Sequence, residues 1–196
     1  MQEKVLVIPT HEVEKLTKGE KGVVEVKIDH IKKIIEEHGR FITRDFAEYD
    51  EELRQVIPYV VMKTDEGILL LRRTDKQGER RLHNKYSVGV GGHIRFEDNP
   101  DPWQAFVNGM QREIDEEVKV QLLDLKYIGL INDTASSVSR VHVGLLYLAK
   151  VIFYGLNEPE MFEYTFKSLD SFNNLEKNLE GWSYLTVVKL KKLMQN

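Results

Sequence analysis

Arg112-Glu113-Ile114-Asp115-Glu116-Glu117 (REIDEE), past the middle of the 196-residue chain, is the stretch that decides the reading. It closes a helix expected over 102–118, with Pro102 in the first turn, where its missing N–H is harmless. At about 100° per residue, Glu113, Glu116 and Glu117 fall within about 100° of arc on one face. Trp103, Val107, Met110, Ile114 and Val118 gather on a separate arc, expected to face a core. Three carboxylates so placed repel by about 0.2–0.5 kcal/mol per close pair. They also sit in the last turns, where the helix dipole disfavours anions. Arg112 is spaced to reach Asp115 and Glu116 and offset part of this. A hard divalent cation reverses the sign, because clustered carboxylate oxygens are its preferred ligands. An acidic run alone is most often a solvated face, but two neighbours argue otherwise here. Ala105 and Gly109 strip bulk from the same stripe. A mid-helix glycine costs roughly 1 kcal/mol relative to alanine, so it calls for close approach by a ligand or another backbone. Upstream, Gly89-Val90-Gly91-Gly92-His93 forms a turn whose bare amides and carbonyls can face the acids.

Outward from that helix the pattern is mixed α/β. Lys4–Pro9 (KVLVIP) reads as a strand. Ile28, Ile31, Ile34 and Ile35 recur at helical spacing up to Gly39, where a C-cap belongs. Residues 40–54 read as charged and irregular. Strands are expected at 56–63 and 67–73, joined by a hairpin turn at Thr64-Asp65-Glu66, and 76–81 as a polar loop. Residues 86–94 read as strand running into a glycine-rich turn, 122–131 and 141–153 as further strands, and 169–178 and 184–194 as helices. There is no internal repeat and no Pro/Gly/Ser linker. The expected organisation is an N-terminal extension over 1–54, packed on a main domain over 55–196.

Composition narrows the class. Apolar residues make up 41% of the chain, enough for a sizeable core. The 32 acidic against 28 basic residues leave a net charge of −4, which argues against a protein that grips nucleic-acid backbone. The absence of cysteine excludes a disulfide framework, thiolate zinc sites and a cysteine nucleophile. No apolar run approaches the ~20 residues of a membrane span, and the opening residues are too polar for a signal peptide. A cytoplasmic location is expected.

GGH followed by a helix carrying REIDEE resembles the Nudix box of the Nudix hydrolases, written G-x5-E-x7-R-E-U-x-E-E-x-G-U with U aliphatic. Arg112, Glu113, Ile114, Glu116, Glu117 and Val120 match its second half in register. There are three departures. Six more residues separate Gly92 from Arg112 than the box allows. Gln104 stands where the box counts back from the arginine to a glutamate, although Asp98 stands at the box distance from Gly92. Lys119 replaces the glycine after the helix. The longer loop, with GVGGHI and NGMQRE, resembles a subgroup labelled as predicted phosphoesterases.

The resemblance implies an α/β/α sandwich with a mixed sheet, and hydrolysis of a diphosphate linkage with Mg²⁺ or Mn²⁺. By it, Glu113, Glu116, Glu117 and the Gly92 carbonyl bind metal, and Arg112 orients the carboxylates. The general base is Glu113 or a later acid among Glu158, Glu160 and Glu163. Arg72 and Arg73, with Arg80, Arg81 and His83 after them, form either a phosphate contact or a solvated strand edge. Gly91 and His93 are candidates for substrate binding; His142 is open to a site role or, as is commoner for a strand histidine, a structural one, and Tyr86, Phe96 and Trp103 to stacking on a base or, more commonly, to packing. Without cysteine, an isomerase acting on isopentenyl diphosphate is excluded. The expected partner is a small phosphorylated substrate, with neither membrane nor nucleic acid. The extension is open to covering the cleft or building a homodimer contact. The alternative is a nucleotide-sensing module that binds without turnover.

Overall fold

The computed structural model describes residues 2–73, 85–157, 159–160 and 162–195. Residues 76–81 and 83, which include Arg80, Arg81 and His83, lie outside the described residues, as does Glu158. In chain order the elements are β1 (Lys4–Pro9), α1 (Thr10–Thr17), β2 (Gly22–Val24), α2 (Ile28–His38), β3 (Arg40–Thr43) and α3 (Arg44–Ala47). There follow β4 (Leu53–Thr64), β5 (Gly67–Arg73), β6 (Tyr86–Ser87), β7 (Gly89–Val90) and α4 (Pro102–Glu117). The rest are β8 (Val118–Asn132), α5 (Ser137–Arg140), β9 (His142–Leu156), β10 (Phe162–Lys167) and α6 (Gly181–Gln195). Strands hydrogen-bond in the order β10–β5–β4–β9–β8–β2, with β1 beside β3 and β4. This is the expected mixed sheet with helices. Among the described residues no helix is long and apolar enough to cross a membrane.

The chain divides into two compact units. The first comprises 1–59, 91–113 and 127–146. In it β1 pairs antiparallel with β3, from Lys4↔Thr43 to Val7↔Arg40, and with β4 at Val7↔Gln55. Val5, Val7, Ala47 and Leu53 pack together, with Ile42 against them. Residues 40–54 are therefore ordered as β3 and α3. Their few apolar side chains meet β1, a long-range pairing that the local charge pattern hides. Helix α1 also went unanticipated: it buries only Val13 and Thr17. Gly39 ends α2 with φ −64, so it is not a left-handed cap. A Cβ there would collide with the Ile35 carbonyl and stand 2.9 Å from Pro102 Cβ, so close approach explains the glycine. Strand β1 also grips the segment after the glycines. Leu6 N donates to the Ile94 carbonyl at 2.8 Å, and Val5 bridges Arg95. Glu3 pairs with Arg95 and with Arg44, each at 3.0 Å.

The second unit comprises 60–90, 114–126 and 147–196. Here β5 pairs along its length with β10, from Phe162↔Arg73 to Lys167↔Ile68, and with β6 at Arg72↔Tyr86. The hairpin at Asp65-Glu66 forms as expected, with Thr64 opposite Gly67. Strand β10 is an addition. Its Tyr164 and Phe166 rings lie 4.9 and 5.4 Å from Phe153. The helix expected over 169–178 is two 3-10 turns instead, Leu169–Asn174 and Glu176–Asn178, anchored by the buried Phe172. Helix α6 starts three residues early, and Ser183 Oγ there accepts from Val88 N at 3.1 Å.

Candidate active site

Helix α4 carries the acids, and its buried face differs from the expected one. Ala105, Phe106, Gly109, Met110, Glu113 and Ile114 are buried, whereas Val107 is 37% exposed. The stripe is rotated by about one residue, because Ala105 and Phe106 take the core side. Trp103 stacks on Phe106 at 5.2 Å, with Lys32 over its ring. A Cβ at Gly109 would stand 2.6 Å from both Asp98 Oδ2 and Ile94 Cδ1. The close approach that the mid-helix glycine demanded is thus made by the segment following the glycine turn.

Arg112 ties that segment to the helix. Its Nε and Nη2 donate to the two Asp98 oxygens at 2.7 and 3.0 Å, and its Nη1 donates to Glu113 at 2.6 Å. Nη2 also donates to the His93 carbonyl at 2.9 Å. The side chains of Asp98, Glu113 and Arg112 are 6%, 9% and 22% exposed. Charges this sheltered persist only when paired. Burial alone would raise the Asp98 carboxyl, but hydrogen bonds from Arg112 and the Arg95 amide outweigh it and hold it below the usual range. The bond to Asp98, with that to Glu113, pushes the Arg112 guanidinium further up. Gln104 takes no part among these bonds; it is exposed and donates to Asn108 at 2.8 Å. Counting from Gly92 therefore finds the arginine's acid, and counting back from Arg112 does not. The six extra residues fall between Asp98 and Arg112, which still meet.

The two glycines have different reasons. A Cβ on Gly91 would run into the Pro58 carbonyl. On Gly92 it would occupy the space of the Glu113 carboxylate, 2.6 Å from Cδ and 2.8 Å from Oε1. Glu113 thus lies directly against the Gly92 backbone. Farther along α4, Glu116 is exposed and Glu117 half-buried. Asn157 closes the helix: its N donates to the Glu117 carbonyl at 2.9 Å and its Nδ2 to the Asp115 carbonyl at 2.6 Å. The chain enters β8 directly at Val118. Lys119 is accordingly a strand residue, and the left-handed conformation that favours glycine does not arise there. Among the described residues no group of three or more His, Cys, Asp or Glu side chains is gathered to hold a metal.

His93 and His142 meet at their Nε2 atoms, 3.3 Å apart. Burial, then Arg44 and His142, push the His93 imidazole down to about 3; burial also lowers His142. Arg72 Nη2 pairs with Glu163 at 2.8 Å across the β5–β10 ladder, so the candidate phosphate contact and a candidate base are bound to each other. The Arg73 backbone pairs with Phe162, and its side chain lies outside the described residues. Glu160 is exposed. Tyr86 sits in β6, where its carbonyl accepts from Glu180 N at 2.9 Å. Phe96 packs edge-on against Phe41 at 5.4 Å.

No family model matches the chain. Protein YmaB of Bacillus subtilis (strain 168) is 36% identical over 153 residues, 74% of each chain. The crystal structure of Tm1382, described as a candidate Nudix hydrolase, has a TM-score of 0.89 at 37% identity and covers 97% of this chain and 100% of its own. A MutT Nudix hydrolase from Burkholderia pseudomallei shares the fold at TM-score 0.51 and 20% identity, over 68% of this chain and 95% of its own. With the box arginine seated between its acids and relatives that match over most of their length, the chain belongs to the Nudix hydrolase family.

Proposed function

We propose that the protein hydrolyses a diphosphate linkage in a small phosphorylated substrate, a nucleoside-diphosphate derivative or a related compound, with Mg²⁺ or Mn²⁺. The observation that carries this reading is the set of Arg112 bonds to Asp98, Glu113 and the His93 carbonyl, which present Glu113 against Gly92. The donor set suits a hard cation, being oxygen throughout, and the bare Cα of Gly92 leaves the carboxylate its room. Glu113, Glu116, Glu117 and the Gly92 carbonyl would hold the ion. When bound, it supplies charge neutralisation on phosphate oxygens and a more acidic attacking water. Arg112 orients Glu113 and, being fixed by Asp98, does not follow the substrate. Arg72 and Arg73 are assigned to phosphate oxygens, where guanidinium geometry suits, and the Gly91 and His93 backbone to the substrate's anionic end. The base falls to Glu113 or a later acid such as Glu160.

A second reading, ligand binding without turnover, draws on the bond that engages Glu113 with Arg112. One experiment separates the two. Phosphate release is followed across nucleoside triphosphates and diphosphate derivatives with Mg²⁺, Mn²⁺ or chelator, with Glu117→Gln as the blank. Metal-dependent release that falls by orders of magnitude in Glu117→Gln, with metal-free thermal stability equal or raised, is the expected result. No release, with metal-dependent thermal stabilisation by one ligand, would establish the binding module instead.

A further inference from the structure

His142 has no role in the proposed chemistry, yet its contacts run to a residue that does. Its Nδ1 stands 2.7 Å from the Val138 carbonyl, which can only accept, so Nδ1 carries the proton. In the neutral ring Nε2 then holds a lone pair, directed at His93 Nε2. His93 must donate from Nε2 and keep its own lone pair on Nδ1. The rings cross at 62°, with centroids 5.5 Å apart. The chain continues through the backbone, because the His93 carbonyl accepts from Arg112 and Arg112 donates to Glu113. At its far end it is pinned by Arg54, which is 3% exposed. Arg54 Nη1 donates to the carbonyls of Ser139 and His142 at 3.1 and 3.4 Å.

We propose that His142 is a positioning residue: through the ring of His93 it fixes the carbonyl that seats Arg112, and through Arg112 the carboxylate of Glu113. The functional half of this inference rests on the metal reading above; the directed pair of histidines does not. Outer partners of metal ligands are worth fixing because they set ligand orientation and basicity.

The first test is long-range ¹⁵N–¹H correlation of the wild-type imidazoles near neutral pH. The expected result is opposite tautomers, Nδ1–H for His142 and Nε2–H for His93; any other pair overturns the proposal whatever the activity. The second is Mn²⁺ titration followed by electron paramagnetic resonance, with melting in chelator confirming that each variant is folded. His142→Phe keeps a ring without its bonds, and His142→Asn can keep only the Val138 bond. His142→Gln places an amide oxygen near the Nε2 position to receive His93. The expected outcome is Mn²⁺ affinity about tenfold weaker in the first two and within about twofold of wild type in His142→Gln. Equal weakening in all three, or in none, overturns the positioning role. A wild-type protein that binds no Mn²⁺ overturns the metal reading and the functional half together, while the tautomers still judge the histidine pair.

Discussion

Two arginine–carboxylate pairs, Arg112 with Asp98 and Arg72 with Glu163, use the same functional groups at similar distances, 2.7 and 2.8 Å, for different ends. Arg112 is 22% exposed against an Asp98 that is 6% exposed, and it spends further donors on Glu113 and on a backbone carbonyl. Arg72 is 40% exposed against a Glu163 that is 62% exposed, and their backbones already face each other in a ladder. The first pair decides where a loop and a helix meet. The second decorates a pairing that ten other residues of β5 and β10 secure without it. What an ion pair does is set by what else depends on its geometry and by the water around it.

The largest test of that contrast is a matched pair of substitutions read by chemical denaturation in chelator. Arg112→Met leaves two sheltered carboxylates without their guanidinium and is expected to cost about 3–5 kcal/mol. Arg72→Met is expected to cost less than about 1 kcal/mol. Equal losses would dissolve the distinction. Gly109→Ala comes next. Helix propensity alone predicts a gain of roughly 1 kcal/mol, but the new Cβ would press on Asp98 and Ile94 at 2.6 Å. A net loss of about 1–3 kcal/mol is therefore expected, and a gain would show that the Asp98 segment gives way easily.

Acid titration sharpens the comparison from another side. His142 is lowered in the folded protein, so below its unfolded value of about 6.5 the unfolded chain binds the extra proton. Stability is present at neutral pH and falls as the pH drops below that point. Asp98, also lowered, contributes stability that is lost only below the ordinary carboxylate value of about 3.9. His93, pushed down to about 3, acts in the same sense, so the melting temperature of the wild type should decline between pH 7 and 5 and His142→Gln should flatten that decline in part; an unchanged slope would remove His142 as a source. The smallest effect concerns the box itself. Because Lys119 is a strand residue, Lys119→Gly restores the family letter and should cost about 0.5–1 kcal/mol in thermal or chemical unfolding. Stabilisation would imply a cap that the strand geometry does not contain.

Much of this was legible in the chain because the signals were local. Helix α4 announced itself through its proline start, its period and its acids, and β5 through an unbroken apolar run. Segments whose order depends on distant partners were not legible. Helix α1 and β3 carry few apolar residues, and their stability comes from β1 and its surroundings. Strand β10, FEYTFK, alternates aromatic and polar residues on an exposed strand, and its charges mask the period. Within the site, the spacing from Gly92 pointed to Asp98. That one arginine would join Asp98, Glu113 and a carbonyl is a matter of three-dimensional approach, which no spacing rule contains. Gly109 called for a close neighbour and has one, whereas Gly39, expected as a helix cap, is explained by close approach as well.

The hold of β1 on Ile94 and Arg95 bears on inheritance as well as architecture. Strand β1 donates a backbone bond to the residue two past Gly92, and Glu3 just before it meets Arg95. Removing the first nine residues, or exchanging them for an unrelated segment, would uncover the Ile94 carbonyl and the β4 edge opposite Val7. Chimeras that graft this box and its long loop onto another Nudix scaffold should therefore carry β1 with them, and surveys of related genes should find the two gained or lost together.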